Sequence, residues 1–209
     1  MRYARNHKAA TRERILQGAV TRLKENGSGG IAIAELMEDA GLTHGGFYAH
    51  FKSRDALVEE SFRHALEGIA QRWRARAEKA PRGEGLEAIV NGYLTREHRD
   101  DASGGCALPA IGAELARSSA RTRRIFTERL EDAIDAVAAQ SAESPAKVAR
   151  EEAIGVIATM VGSLLLARAA GHEQLSADIL KAGRKKALAE HRPRARRAIA
   201  KPVRTKVPR

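Results

Sequence analysis

Apolar residues recur every three or four positions along most of this 209-residue chain, without sustained alternation of apolar and polar residues. A period of about 3.6 places them on one face of an α-helix, whereas a strand needs a period of about two. Aromatic residues, which favour strands, make up only 4% of the chain. The spacing therefore predicts an all-α protein.

Glycine, proline and capping residues divide this pattern into about nine helices. Thr11 is placed to cap the first, and Asn26-Gly27 to end it. Pro109, tolerated only in a first turn, places one helix start near Cys106. The predicted helices cover 11–26, 33–40, 43–51, 53–79, 86–98, a stretch starting near 106, 120–140, 145–170 and 175–191.

The net charge of +11 is concentrated at the termini. Residues 192–209 hold eight Lys or Arg and no acid, so the rest of the chain carries only +3. Ends of this kind are typical of arms that touch a polyanion, and equally of solvated, disordered extensions. A second basic cluster lies near the N-terminus and comprises Arg2, Arg5, Lys8, Arg12 and Arg14.

Other function classes find little support. The single cysteine, Cys106, excludes an intramolecular disulfide and fits a reducing cytoplasm. No zinc-ligand spacing and no phosphate-binding or hydrolase motif occurs, so we expect no enzyme, metal or cofactor. The start of the chain lacks a secretory signal pattern. The apolar run from Ala153 to Ala167 is short for a bilayer and predicts a buried helix, with no membrane partner.

Two short predicted helices flank Gly41-Leu42-Thr43, the pattern of a helix-turn-helix. Phe47 and Phe51 lie four residues apart and should face inward. Thr43 is placed to cap the second short helix with its hydroxyl. On the residues alone, DNA binding and an ordinary helical hairpin both stay open. The candidate DNA contacts lie on the outer face and ends: Thr43, His44, Gly45, Gly46, Tyr48, His50 and Lys52.

Residues 11–66 resemble the DNA-binding domain of the TetR family of bacterial repressors. The resemblance is carried by residues 40–57, AGLTHGGFYAHFKSRDAL, against a family pattern of roughly A-G-V-S-x-G-x-[LF]-Y-x-H-F-x-[SN]-[KR]-[ED]-x-L. It implies backbone-phosphate contacts from Thr43, Gly45, Tyr48, His50 and Lys52, and operator selection by His44 and Gly46. Ile31 and Ala32 depart from the usual capping Thr or Ser, and Met37 replaces a small residue.

The resemblance also implies a homodimer that joins its last two long helices into a four-helix interface. Gly155 and Gly162 are seven residues apart, and Ala158 and Gly162 are four apart, so these small residues allow close helix approach beside Leu165. An intrachain core helix is the alternative interpretation. Dimerisation fits DNA reading, because two recognition helices about 34 Å apart meet successive major grooves of a near-palindromic operator.

Candidate ligand-lining residues in the middle helices are Trp73, Tyr93, His98, Phe126 and Met160, although plain core packing is the favoured role for any one of them. Cys106 follows two glycines at a predicted helix start, where the helix dipole would lower the thiol pKa. The resembling family includes cysteine-based sensors of oxidants or electrophiles. A small buried apolar residue is the alternative role.

The sequence thus predicts three parts: a DNA-binding domain at 8–68, a ligand-binding and dimerisation domain at 69–191, and a basic tail at 192–209. By resemblance, the function is repression of transcription, relieved when an unidentified small molecule pulls on the predicted fourth helix. A nonspecific DNA-coating protein that uses its basic ends is the alternative. A tail lying on an anionic membrane is weaker, because three prolines deny it amphipathic spacing.

Overall fold

The computed structural model describes residues 2–141 and 144–189, with side chains described from residue 7. These residues form helices and loops without strands, so the all-α prediction is confirmed. The tail 192–209 and the side chains of Arg2 and Arg5 lie outside the described part. The α-helices are α1 (Arg2–Asn26), α2 (Ile33–Asp39), α3 (Arg54–Leu66), α4 (Ile69–Glu78), α5 (Gly85–Tyr93), α6 (Arg96–Asp100), α7 (Leu108–Ala116), α8 (Ala120–Ala138), α9 (Ala146–Ala169) and α10 (Glu173–Ala189).

The N-terminal unit is built around α1. Its predicted apolar face is buried, and the helix ends at Asn26, followed by Gly27 at a φ of 72°. The predicted start is wrong, because α1 begins at Arg2 and passes through Thr11, which is buried within the helix instead of capping it. Helices α2 and α3 pack against α1, and a 3₁₀ segment, His44–Ala49, packs against α2 to complete this unit.

The prediction of one long fourth helix over 53–79 is wrong, because the structure has two helices there. Helix α3 ends at Leu66, and Gly68 takes a left-handed φ of 74° before α4 begins at Ile69. Glycine reaches this conformation without a Cβ clash. The apolar period runs through Leu66 and Ile69 without interruption, so periodicity alone could not reveal the break.

The predicted fifth helix is also divided. Helix α5 stops at Tyr93, and the hydroxyl of Thr95 accepts the His98 amide at 3.0 Å to start α6. These two breaks, together with the 3₁₀ form of residues 44–49, convert nine predicted helices into the ten α-helices of the described residues. Pro109 lies in the first turn of α7, as predicted.

A junction joins the N-terminal unit to the helices that follow it: α1 contacts α7, and α3 contacts α8. One apolar core runs from Ile15 in α1 to Ala187 in α10. The break at Gly68 falls at the predicted domain boundary, but the continuity of the core leaves the boundaries 8–68 and 69–191 as predictions.

Helix α9 is the most apolar long element. By length and composition alone it is able to cross a membrane, a weak criterion that core helices of soluble proteins also meet. The length of its apolar run therefore does not by itself exclude a membrane span. Packing is more informative, because one face of the helix is buried against α7, α8 and α10.

Candidate DNA-binding surface

The turn after α2 aims the following segment outward. Gly41 adopts a φ of 68°, and the amides of Gly41 and Leu42 donate to the carbonyls of Glu38 and Met37, both at 2.8 Å. Ala32 precedes α2 without a side-chain cap, as its sequence predicts. Met37 is fully buried, so packing supports this short helix in place of a cap.

Residues 44–49 form a 3₁₀ segment fixed by two aromatic anchors. Phe47 and Phe51 are buried and stack with ring centroids 5.7 Å apart, which confirms their inward orientation. Tyr48 packs edge-on against Phe47 but stays 63% exposed. The segment is therefore held rigidly from below and presents a free phenol above.

The seven predicted contact residues share this surface. Gly46 and His50 are half-buried, and the other five are exposed: Thr43, His44, Gly45, Tyr48 and Lys52. The predicted capping role of Thr43 is wrong, because its side chain makes no cap hydrogen bond. That hydroxyl is left available to an external acceptor. An added Cβ at Gly45 would meet nothing within 4 Å.

His50 closes the surface on the side nearest α1. Its Nδ1 is buried with no hydrogen-bond partner among the described residues. Burial and the nearby charges of Lys8 and Arg12 lower the pKa of this imidazole. A buried lone pair without a donor costs less than a buried N–H without an acceptor, so we place the ring proton on Nε2.

Arg12 fastens α1 to this surface. Its guanidinium lies over the Phe51 ring, 4.5 Å from the centroid, and donates to both Glu60 oxygens at 2.5 and 2.8 Å. These hydrogen bonds raise the pKa of Arg12 and lower that of Glu60. The cation is thus already paired within the protein.

A hydrogen-bonded connection, which we call the Ser28 link, joins α7 to the start of α3. Both oxygens of the Glu114 carboxylate accept the Ser28 amide, at 3.0 and 3.2 Å. Arg54, the first residue of α3, donates to the carbonyls of Ser28 at 2.5 Å and Ile31 at 3.1 Å. Sequence reasoning missed this link. Arg54 lies within residues 40–57, but no local pattern indicates that Glu114 binds the other side of Ser28.

Beyond the junction, Tyr93, His98 and Cys106 form a compact cluster. The Cys106 amide donates to His98 Nε2 at 2.8 Å, so Nδ1 carries the proton and donates to the Tyr93 carbonyl at 2.6 Å. Tyr93 packs edge-on against His98 (4.6 Å) and Trp73 (5.9 Å). Burial is the largest cause that lowers the pKa of His98. The His98 imidazole is therefore neutral, and each of its ring nitrogens has a hydrogen-bond partner.

Burial opposes the expected activation of Cys106. The thiol is buried, and desolvation raises its pKa above the ordinary value. A hydrogen bond from the backbone of Leu108, the first residue of α7, lowers this pKa, but desolvation outweighs it. The buried Tyr93 hydroxyl lies against this thiol and has no regular hydrogen-bond partner among the described residues. The small-apolar role describes Cys106 better than a reactive thiolate does.

The remaining ligand candidates share the core. Trp73 and Met160 are buried in the apolar core, and Phe126 is half-buried against that core. Three open surface clefts, the largest about 450 Å³ between α6 and α10, contain none of these side chains. Ligand binding by Trp73, Tyr93, His98, Phe126 and Met160 therefore stays a prediction.

The predicted dimer face lies on the outer side of α9. Ala158 is exposed and Leu165 is 48% exposed, whereas Gly155 and Gly162 are half-buried. A Cβ added at Gly162 would meet nothing within 4 Å, so packing within this subunit does not require glycine there. Ile154 (45% exposed) and Leu166 (59% exposed) extend the apolar stripe.

The fold and this surface define an all-α helix-turn-helix protein. The sequence model described as "Bacterial regulatory proteins, tetR family" matches residues 15–61. The HTH-type transcriptional repressor KstR2 of Mycolicibacterium smegmatis is 32% identical over 65 residues, 31% of this chain and 32% of the relative. The match thus spans about a third of that curated relative's length.

Solved structures share the fold over most of the chain. A TetR transcriptional regulator from Chloroflexus aurantiacus is 22% identical with a TM-score of 0.74, covering 88% of this chain and 95% of its own. The reduced form of Escherichia coli NemR is 17% identical with a TM-score of 0.69, covering 85% and 95%. The family-model match over residues 15–61 confirms the TetR-family resemblance that residues 40–57 predict.

Proposed function

We propose that the protein is a sequence-specific, DNA-binding transcriptional regulator that acts in the cytoplasm as a homodimer and has no enzymatic activity. The observation that carries this proposal is the exposed polar surface of residues 43–52 on the buried Phe47–Phe51 stack. Such a surface, rigid below and unpaired above, suits phosphate and base contacts in a major groove. KstR2 is named a repressor, and this favours repression.

Dimerisation is supported by the α9 stripe. Three large apolar side chains, Ile154, Leu165 and Leu166, are about half-exposed on one helix, flanked by Ala158 and Gly162. A second copy of the same helix would cover them and bring small residues into contact. A dimer also supplies two recognition segments for a near-palindromic operator.

Release by a small molecule is the third part of the proposal. The predicted fourth helix is divided at Gly68, so a conformational change in the C-terminal helices would reach residues 43–52 through the junction. The contact of α8 with α3 and the Ser28 link from α7 would transmit it. A ligand among the core residues around Trp73 and Tyr93 would shift α7 or α8 and so the segment 43–52. Coupling of this kind is typically about 1–3 kcal/mol.

Selection of bound duplexes from a random DNA library at near-physiological salt tests the proposal. Enrichment of an inverted repeat is expected, and Leu165→Glu should abolish that enrichment by disrupting the dimer. An exposed substitution elsewhere, Lys79→Glu, serves as the control. Salt-sensitive binding without enrichment would instead identify a nonspecific DNA-coating protein, because phosphate contacts alone carry no sequence information.

A further inference from the structure

Helix α1 contacts the end of the surface of residues 43–52 through Arg12. Arg12 stacks on Phe51 at 4.5 Å, which fixes the position of α1 beside the end of the segment. Residues four apart on a helix lie about one turn apart on the same face. Lys8 therefore lies one turn from Arg12 on the same face of α1, and its charge, like that of Arg12, acts on the His50 imidazole.

The two cations differ in what they bind. Both guanidinium branches of Arg12 donate to Glu60. Lys8 is exposed, and among the described side chains no carboxylate pairs with it. His50 next to it has a buried, unpartnered Nδ1 and leaves its Nε2–H without an acceptor in the described part of the chain. Two neighbouring donors thus lack an acceptor.

We propose that Lys8 and His50 together bind one phosphate of the DNA backbone, so that the interface extends from residues 43–52 onto α1. A phosphate supplies several acceptor oxygens and neutralises the Lys8 charge. This inference rests on the proposed DNA-binding function. Lys8 lies outside the family-like string and so adds a contact that residues 40–57 do not predict.

The test compares Lys8→Ala with the matched control Lys79→Ala, an exposed lysine at the end of α4. Affinity for the selected operator and for a random duplex is measured between about 0.05 and 0.3 M salt. A dimer loses two phosphate contacts, so the slope of log affinity against log salt should become shallower by about 1.8 in Lys8→Ala, with a loss of roughly 10- to 60-fold at 0.1 M salt. Both duplexes should weaken equally, because phosphate carries no sequence information.

Lys8→Arg should retain most of the affinity, because it keeps the charge. Combined with His50→Ala, which removes the Nε2–H donor, Lys8→Ala should cost less than the sum of the two single changes, since one phosphate serves both side chains. A slope equal to that of Lys79→Ala, or strictly additive effects, overturns the pairing. If the unaltered protein fails to bind DNA, the proposed function itself fails.

Discussion

The surface of residues 43–52 and the Tyr93–His98–Cys106 cluster both contain a histidine and an aromatic ring, but the two regions differ in whether their polar groups have hydrogen-bond partners. In the cluster, His98 has a partner for each ring nitrogen. On the surface, Tyr48 is exposed and His50 has a buried nitrogen without a partner among the described residues. Groups satisfied internally stabilise the fold, whereas groups left unpaired on a rigid base are available to a partner. This contrast yields four predictions.

The largest effect is expected on DNA affinity from Tyr48→Phe. The change removes only an exposed hydroxyl, and a hydrogen bond to a charged phosphate contributes about 1.5–3 kcal/mol. A dimer loses two, so affinity should fall at least about 100-fold. Fluorescence anisotropy measures it, and the free energy of unfolding should stay within about 0.5 kcal/mol of the original. Unaltered affinity would remove Tyr48 from the interface.

His98→Ala should show the reverse pattern. It leaves the Cys106 amide and the Tyr93 carbonyl without their partner, which should lower the free energy of unfolding by about 2–4 kcal/mol. Urea denaturation measures the loss, and the folded variant should bind DNA normally. His98→Gln, which can restore one of the two bonds, should recover part of the stability. A neutral result would mean that the cluster contributes little to folding.

Glu114→Gln should loosen the Ser28 link by removing a charge-assisted hydrogen bond, at a cost of about 1 kcal/mol. Amide hydrogen exchange should therefore accelerate at Ser28. Glu25→Gln, at an exposed residue near the end of α1 with no ion-pair partner in the described part of the chain, is the matched control. Equal exchange in both variants would argue against coupling through this carboxylate.

The last prediction is a pH dependence of stability. The pKa of His98 is lowered in the folded state, so below its ordinary value of 6.5 the unfolded chain binds a proton that the folded chain does not. The stability due to neutral His98 is fully present above pH 6.5 and is lost as the pH falls, by at most about 1.4 kcal/mol per unit. Urea titrations between pH 5.5 and 7.5 should show this slope reduced in His98→Gln. Identical slopes would contradict the assignment.

Much of the surface of residues 43–52 was predictable because its signals are local. Gly41, Phe47 and Phe51 occupy positions fixed by turn geometry and helical spacing, and the structure confirms their roles. Thr43 shows the limit, since cap formation depends on the backbone form of the next residues, here 3₁₀ instead of α.

The central cluster was not predictable in the same way. His98 and Cys106 were each identified as candidates for ligand binding or sensing, but only the loop between α6 and α7 brings the Cys106 amide to the imidazole. Burial then reverses the expected shift of the Cys106 thiol pKa, because desolvation outweighs any effect of the helix dipole.

By itself, the sequence determined the all-α class, the turn at Gly41, the aromatic anchors and the family resemblance of residues 40–57, because each depends on neighbours within a few positions. The tertiary structure decided the break at Gly68, the Ser28 link and the protonation of His98 and Cys106. These depend on groups distant in sequence: Glu114 lies 86 positions from Ser28. Local spacing carries no information about such pairs, and only the folded chain brings them within hydrogen-bonding distance.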